Sequence, residues 1–172
     1  MRWAICEATS MKMNKTSSPI TSFPPKDLAG FLDLCAGSWM SLRSHFELGN
    51  GDTGWHRSQH DYIDVKRIAE SAERCHGGIA LKPPKGLEQE LYLLADGHFN
   101  LRGAWQANGV WNFRSGNLEL SICRDDGGLL TEWISFTKPN LRLRSTMATT
   151  AAGLPERASF ASEIRRISRT DF

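Results

Sequence analysis

Turn signals recur at short intervals through the second half of the chain: "ADG" at 95–97, "ANG" at 107–109, "SGN" at 115–117, "DDGG" at 125–128 and "KPN" at 138–140. Glycine, asparagine and aspartate reach the backbone angles of tight hairpins at little steric cost, and proline starts them. Between these signals lie "HFNLRGAWQ", "VWNFR", "LELSIC" and "LTEWISF"; after the last comes "LRLRSTMATT", and later "ASFASEIRRI". Connections this short leave no room for helical crossovers, so successive strands must run antiparallel. Upstream, "SWMSLRSHFEL", the turn "GNGDTG", "WHRSQHDYIDVKR", "GGIALK" and "QELYLLA" continue the pattern. Eight to ten such strands remove their unpaired edges by closing. The expected fold is therefore all-β, an up-and-down antiparallel β-barrel with one N-terminal helix.

That helix is expected over residues 26–36, in "DLAGFLDLCAG". Leu28, Phe31, Leu32 and Cys35 follow helical spacing, Asp27 is placed to cap the start, and Gly37 fits the end. Residues 1–25, rich in Ser, Thr, Pro and Lys, read as a disordered leader without a secretory h-region; residues 26–172 read as a single domain. A globular part of about 140 residues buries roughly two thirds of its unfolded surface, enough for a core. The net charge of +2 is too small to point to nucleic acid, and no apolar run approaches the ~18 residues of a membrane helix. Cys6, Cys35, Cys75 and Cys123 form neither a CxxC pair nor a disulfide pattern, which suits a reducing, cytoplasmic setting. No metal site is expected, because the adjacent Cys75 and His76 face opposite ways in a strand.

The segment "KPNLRLRSTM" poses the functional question. In a strand, Leu141, Leu143 and Ser145 share one face and Arg142 and Arg144 the other. If the leucines face inward, the arginines are ordinary surface charge. If the arginines face inward they need anionic partners, because a buried unpaired charge is very costly. Two same-face arginines lie about 7 Å apart, a spacing that suits a ligand with two carboxylates. The pattern alone leaves both faces open.

"TEWISFTKPNLRLR" followed by "ASFASEIRRI", with "LAGFLDLCAGSWMSLRS" near the start, resembles the S-type phycobiliprotein lyases, from about Asp27 to Ile167. The resemblance implies a calyx related in shape to lipocalins. It implies attachment of a linear tetrapyrrole to a phycobiliprotein cysteine through a thioether. The implied partners are a phycobilin (phycoerythrobilin or phycocyanobilin), an apo-phycobiliprotein subunit and a second copy in a homodimer. The bilin is substrate, so no cofactor is called for. The implied setting is a cyanobacterial-type cytosol, or a plastid stroma in an alga. Carried onto matching positions, the resemblance makes Glu132, Arg142, Arg144 and Arg43 candidates for contacting bilin, with Trp39 as a pocket wall. This chain departs from the family pattern at Leu42, where Gln is common, at Trp133, where a basic residue is common, and at Ser135, where an aromatic is common. Those departures bear on bilin preference and target choice.

The chemistry implied needs anchors for two propionates, which suits Arg142 and Arg144, and aromatic walls for the conjugated rings, for which Trp105, Trp111, Phe113 and Phe136 are available. Glu132 is the candidate catalytic carboxylate, placed to hydrogen-bond the pyrrole nitrogens or stabilise their protonated form. The acceptor supplies the nucleophilic thiol. Hairpin register bears on Glu132: an odd-length loop of Lys138, Pro139 and Asn140 pairs Phe136 with Arg142 and Ile134 with Arg144, which puts Glu132 on the arginines' side. A two-residue turn of Lys138 and Pro139 would point it away. The odd loop is expected. The rival readings are a calycin-type carrier of a bilin or another amphipathic carboxylate, a nucleic-acid-binding barrel with its arginines outside, and a purely structural role.

Overall fold

The computed structural model describes residues 22–49, 55–71 and 75–166. The leader up to residue 21 and most of "GNGDTG" lie outside these. One helix, α1 (Leu28–Cys35), precedes ten strands: β1 (Gly37–Glu47), β2 (His56–Ile68), β3 (Cys75–Lys82), β4 (Gln89–Leu94), β5 (His98–Gly103), β6 (Ala107–Arg114), β7 (Asn117–Cys123), β8 (Leu129–Lys138), β9 (Leu141–Thr149) and β10 (Pro155–Arg165). Each strand pairs antiparallel with its neighbours in sequence, and β1 pairs with β10 to close the barrel.

The helix is shorter at both ends than the spacing suggests. Asp27 caps it, accepting from the Gly30 N–H at 2.8 Å, and Ala36 already has an extended backbone. Eight residues are too few for an independent helix, so packing must hold it. Phe31 supplies that packing: its ring meets Phe113 and Phe136 edge-on, with centroids 5.5 and 5.4 Å away. Full burial of such a ring contributes about 1.5–3 kcal/mol. Arg165 ties down the helix C-terminus, donating to the Leu34 and Ala36 carbonyls at 2.5 Å each. The helix thus seals one end of the barrel, and the hairpins β1–β2, β3–β4, β5–β6, β7–β8 and β9–β10 ring the other.

One local expectation is corrected. "ANG" is no turn: β5 ends at Gly103, whose φ of 117° favours glycine, and β6 starts at Ala107. Gly109 instead sits within β6, where a Cβ would come 2.2 Å from the Ser121 carbonyl oxygen and 2.6 Å from the Phe99 ring. After β1, β2 runs on to Ile68, and Ser71 bridges back to Cys75.

The β8–β9 hairpin has the register expected of the odd loop: Phe136 lies opposite Arg142, and Ile134 opposite Arg144. A bulge between Phe136 and Lys138 supplies the extra residue, and Pro139 and Asn140 make the turn. Both arginines and Glu132 therefore face inward, while Leu141 and Leu143 face out. The interior is divided. Ile79, Leu91, Leu93, Phe99 and Leu118 form an apolar wall on β3–β7, whereas β1 and β8–β10 bring charged and hydroxyl side chains inward.

Candidate functional site

Strand register stacks the polar wall in tiers from the helix to the open end. The first holds Trp39 and Arg165. Ser41, Glu163, Arg142 and Phe136 form the second. The third holds Arg43, Ala161, Arg144 and Ile134. His45, Ser159, Thr146 and Glu132 form the fourth, and Glu47, Arg157, Ala148 and Leu130 the fifth. Period-two alternation in four adjacent strands produces this stack, because residues opposite one another share a face.

The deep arginine is enclosed and ion-paired, with its Nη2 left without a hydrogen-bond partner among the described residues. Arg142 is 1% exposed and donates from Nε to Glu163 Oε2 at 2.5 Å, with Glu163 0% exposed. Its guanidinium also lies 4.6 Å from the centre of the Trp39 ring, and Arg165 covers that ring at 4.4 Å. Trp39, expected as a pocket wall, is wholly enclosed between these two cations, with its indole N–H on the Cys35 carbonyl at 2.9 Å. No ligand ring can reach it there; it is a platform for Arg142. Phe113 and Phe136 likewise belong to the packing around Phe31, and Trp111 is held by a 2.9 Å bond from its indole N–H to the Leu94 carbonyl.

One tier nearer the mouth, Arg144 donates from Nε and Nη2 to the same oxygen, Glu132 Oε1, at 2.9 and 2.6 Å. Glu132 Oε2 is left without a hydrogen bond among the described residues. Arg144 Nη1 also lies 3.6 Å from Glu163 Oε1, so Glu163 sits between both arginines. Burial alone would raise the Glu163 carboxyl, but Arg144 and Arg142 outweigh it and hold its pKa below the ordinary carboxylate value. Burial also opposes the Arg144 charge, yet Glu132 and Glu163 outweigh that and raise its pKa. Arg43 differs. It forms no ion pair among the described residues, and burial, together with Arg144 nearby, pushes its pKa down. Arg142 has Glu163, Arg144 has Glu132, and Arg43 has neither.

Arg43, Glu132, Arg144, Thr146 and Trp105 border a cavity of about 230 Å³ closed on its far side by Phe99 and Leu120. Trp105 stands on the β5–β6 connection, 48% exposed, pinned at its backbone by Gln89, which accepts from its N–H at 3.1 Å and donates to its carbonyl at 3.0 Å. A second cavity of about 260 Å³, toward the mouth, shares Leu130 and Thr146 with the first. The two cavities adjoin at these residues within the barrel lumen, which has guanidinium groups on one side and apolar surface on the other. The largest concavity, about 810 Å³, lies instead on the outside of the barrel between Leu42, Trp133, Leu143 and Phe160. The side chains of Arg43 and Arg144 point away from it by register, so the lumen carries the chemistry. The three departures from the family pattern, Leu42, Trp133 and Ser135, all border this outer groove.

Arg43, Arg144, Glu132 and Trp105 are thus brought together, while Arg142 and Trp39 lie behind them. Three participants were left out of the candidate site by the sequence reading: Glu163, Arg165 and His45. Alternation could have found His45, two residues from Arg43, and Glu163, two from Arg165.

No family model matches the chain. The chromophore lyase CpcS/CpeS 1 of Paulinella chromatophora is 36% identical over 156 residues, spanning 88% of this chain and 96% of that protein. Among solved structures, the S-type phycobiliprotein lyase CPES from Guillardia theta superposes with a TM-score of 0.62 at 21% identity, covering 82% of this chain and 93% of its own. That second likeness bears on the fold, a calycin-like barrel.

Proposed function

The chain belongs to the CpcS/CpeS family of chromophore lyases, and from that premise we propose that it takes a linear tetrapyrrole into the lumen and promotes its thioether attachment to a cysteine of a phycobiliprotein subunit. The observation that carries this reading is Arg43, a half-buried guanidinium with no carboxylate partner among the described residues, beside the Glu132–Arg144 pair. Such a cation is stabilised when a ligand supplies the missing anion. The anchors for the two propionates are then Arg43 and Arg144, about 10 Å apart across Ala161 if each strand step is about 4.8 Å. Arg142 acts behind them. Direct binding there would require Glu163 to release it, and breaking a buried ion pair costs about 3–5 kcal/mol.

The apolar wall and Trp105 receive the conjugated rings, and the open Glu132 Oε2 accepts from pyrrole N–H groups. The acceptor thiol adds across the ethylidene double bond of the bilin. The lyase contributes orientation, which favours one adduct over wrong-site products. The partners are a phycobilin and an apo-phycobiliprotein subunit, with the bilin as substrate.

Coexpression with bilin-synthesising enzymes and candidate acceptor subunits tests this. A coloured adduct that survives denaturation and has native-like absorbance is expected with one subunit. Bilin held by the barrel but never transferred would instead make the protein a carrier.

A further inference from the structure

We propose that His45 is the base that takes the proton from the acceptor cysteine thiol as the thioether forms. The inference rests on the lyase reading above. His45 faces inward on β1, opposite Arg57 of β2 and Ser159 of β10. Its Nε2 is shut off from solvent and has no hydrogen-bond partner among the described residues. Buried ring nitrogens in folded proteins are normally paired, and an orphan of this kind calls for a reason. Nothing in the packing supplies one: α1 lies at the other end of the barrel.

Position supplies the reason. His45 borders the mouth-side cavity of about 260 Å³, which shares Leu130 and Thr146 with the cavity holding Arg43, Arg144 and Glu132. It shares a tier with Glu132, across Ser159 and Thr146, and stands one tier nearer the mouth than the two anchoring arginines. A bilin anchored by Arg43 and Arg144 has its remaining length between those cations and the opening, and an acceptor thiol can enter only through that opening. The two reactants meet at the level of His45.

The surroundings keep the imidazole a base. Burial, then the cations Arg43 and Arg57, lower its pKa, against the weaker opposing effects of a side-chain hydrogen bond with Gln59 and the charge of Glu47, while Nε2 itself stays unpartnered among the described residues. Arg157 from β10 borders the same cavity, and Glu132 and Arg144 reach the lumen from β8 and β9. With the ring proton on Nδ1, the Nε2 lone pair is open to accept. A free thiol, with a pKa of about 8.5, is only slightly ionised at neutral pH. Transfer of its proton to Nε2 leaves a thiolate beside Arg43 and Arg57. The sulfur bonds to the exocyclic carbon of the ethylidene group, the π bond breaks, and its electron pair takes a proton at the ring carbon. The imidazolium, destabilised by the same two cations, returns that proton. Thiol and bilin sum to thioether, with no oxidant or reductant.

The test compares wild type with His45→Gln and His45→Asn, measuring bilin absorbance on the lyase and the rate of adduct formation on the acceptor subunit. Both variants are expected to bind bilin with the wild-type spectrum, which also reports folding. Transfer at pH 7 is expected to fall about 100-fold, the lower end of the range for general-base catalysis. The deficit should close above pH 9, where the acceptor thiol ionises unaided. Transfer within twofold of wild type at pH 7 would overturn the proposal. So would a deficit that stays constant from pH 7 to 9.5, or loss of bilin binding in both variants. If wild type itself forms no adduct, the lyase reading fails before His45 is in question.

Discussion

Arg43 and Glu163 lie two tiers of side chains from the sealed end at most, yet removing their charges should move stability in opposite directions. Glu163→Gln leaves Arg142 buried with a weaker, uncharged partner, and destabilisation of about 3 kcal/mol or more is expected. The carboxyl's lowered pKa also fixes the pH dependence. Its stabilising contribution is fully present above the unfolded carboxylate value of 4.5 and is lost as pH falls through the lower folded value. The variant should therefore show a flatter acid limb than wild type in thermal melts between pH 3 and 6. Arg43→Met removes a half-buried cation that has no ion-pair partner among the described residues. It should hold or raise the melting temperature while weakening bilin binding about tenfold or more. A variant that melts lower and binds bilin as well as wild type would remove Arg43 from the site.

At the scale of elements, Gly109 separates what the sequence discloses from what it hides. "ANG" has the composition of a turn, but its glycine serves a contact across the sheet, against Ser121 of β7 and the Phe99 ring of β5. Gly109→Ala should force both neighbours apart and cost about 1–3 kcal/mol, seen as a melting temperature lower by several degrees. An unchanged melting temperature would mean that the strand absorbs the methyl group. Turn chemistry and two-residue alternation are local, so the meander, the helix and its Asp27 cap, and the shared face of Glu132, Arg142 and Arg144 were legible before any coordinates, whereas the direction in which that face turns was left open by the pattern. Glu163 was not, because it is 21 residues from Arg142 and meets it only when β10 pairs with β9. The enclosure of Trp39 was equally hidden, since it needs Arg165 from the far end of the chain. Local pattern assigns faces; depth within a face follows from which strands become neighbours.

At the scale of the whole molecule, barrel closure and an unfilled lumen together make a prediction about ligand. Pairing β1 with β10 leaves no free sheet edge, and α1 seals one end, so the walls have little freedom to collapse onto the cavities between them. One wall presents a guanidinium without a carboxylate among the described residues, and the other presents apolar surface. A ligand with carboxylates on one edge and a conjugated body on the other corrects both deficits at once. Binding to the folded state alone stabilises it by about 2.7 kcal/mol at a ligand concentration 100 times Kd. For a domain near 150 residues each kcal/mol moves the melting temperature by about 2–4 °C, so saturating bilin should raise it by about 5–10 °C. Simple propionate at the same concentration lacks the apolar body and should leave it unmoved. The bilin-induced rise should shrink in Arg43→Met, because there the carboxylate edge has lost its counter-charge while the apolar wall is intact. Equal rises in wild type and the variant would show that the pigment is held by its rings alone, and the division of the lumen into charged and apolar walls would lose its functional meaning.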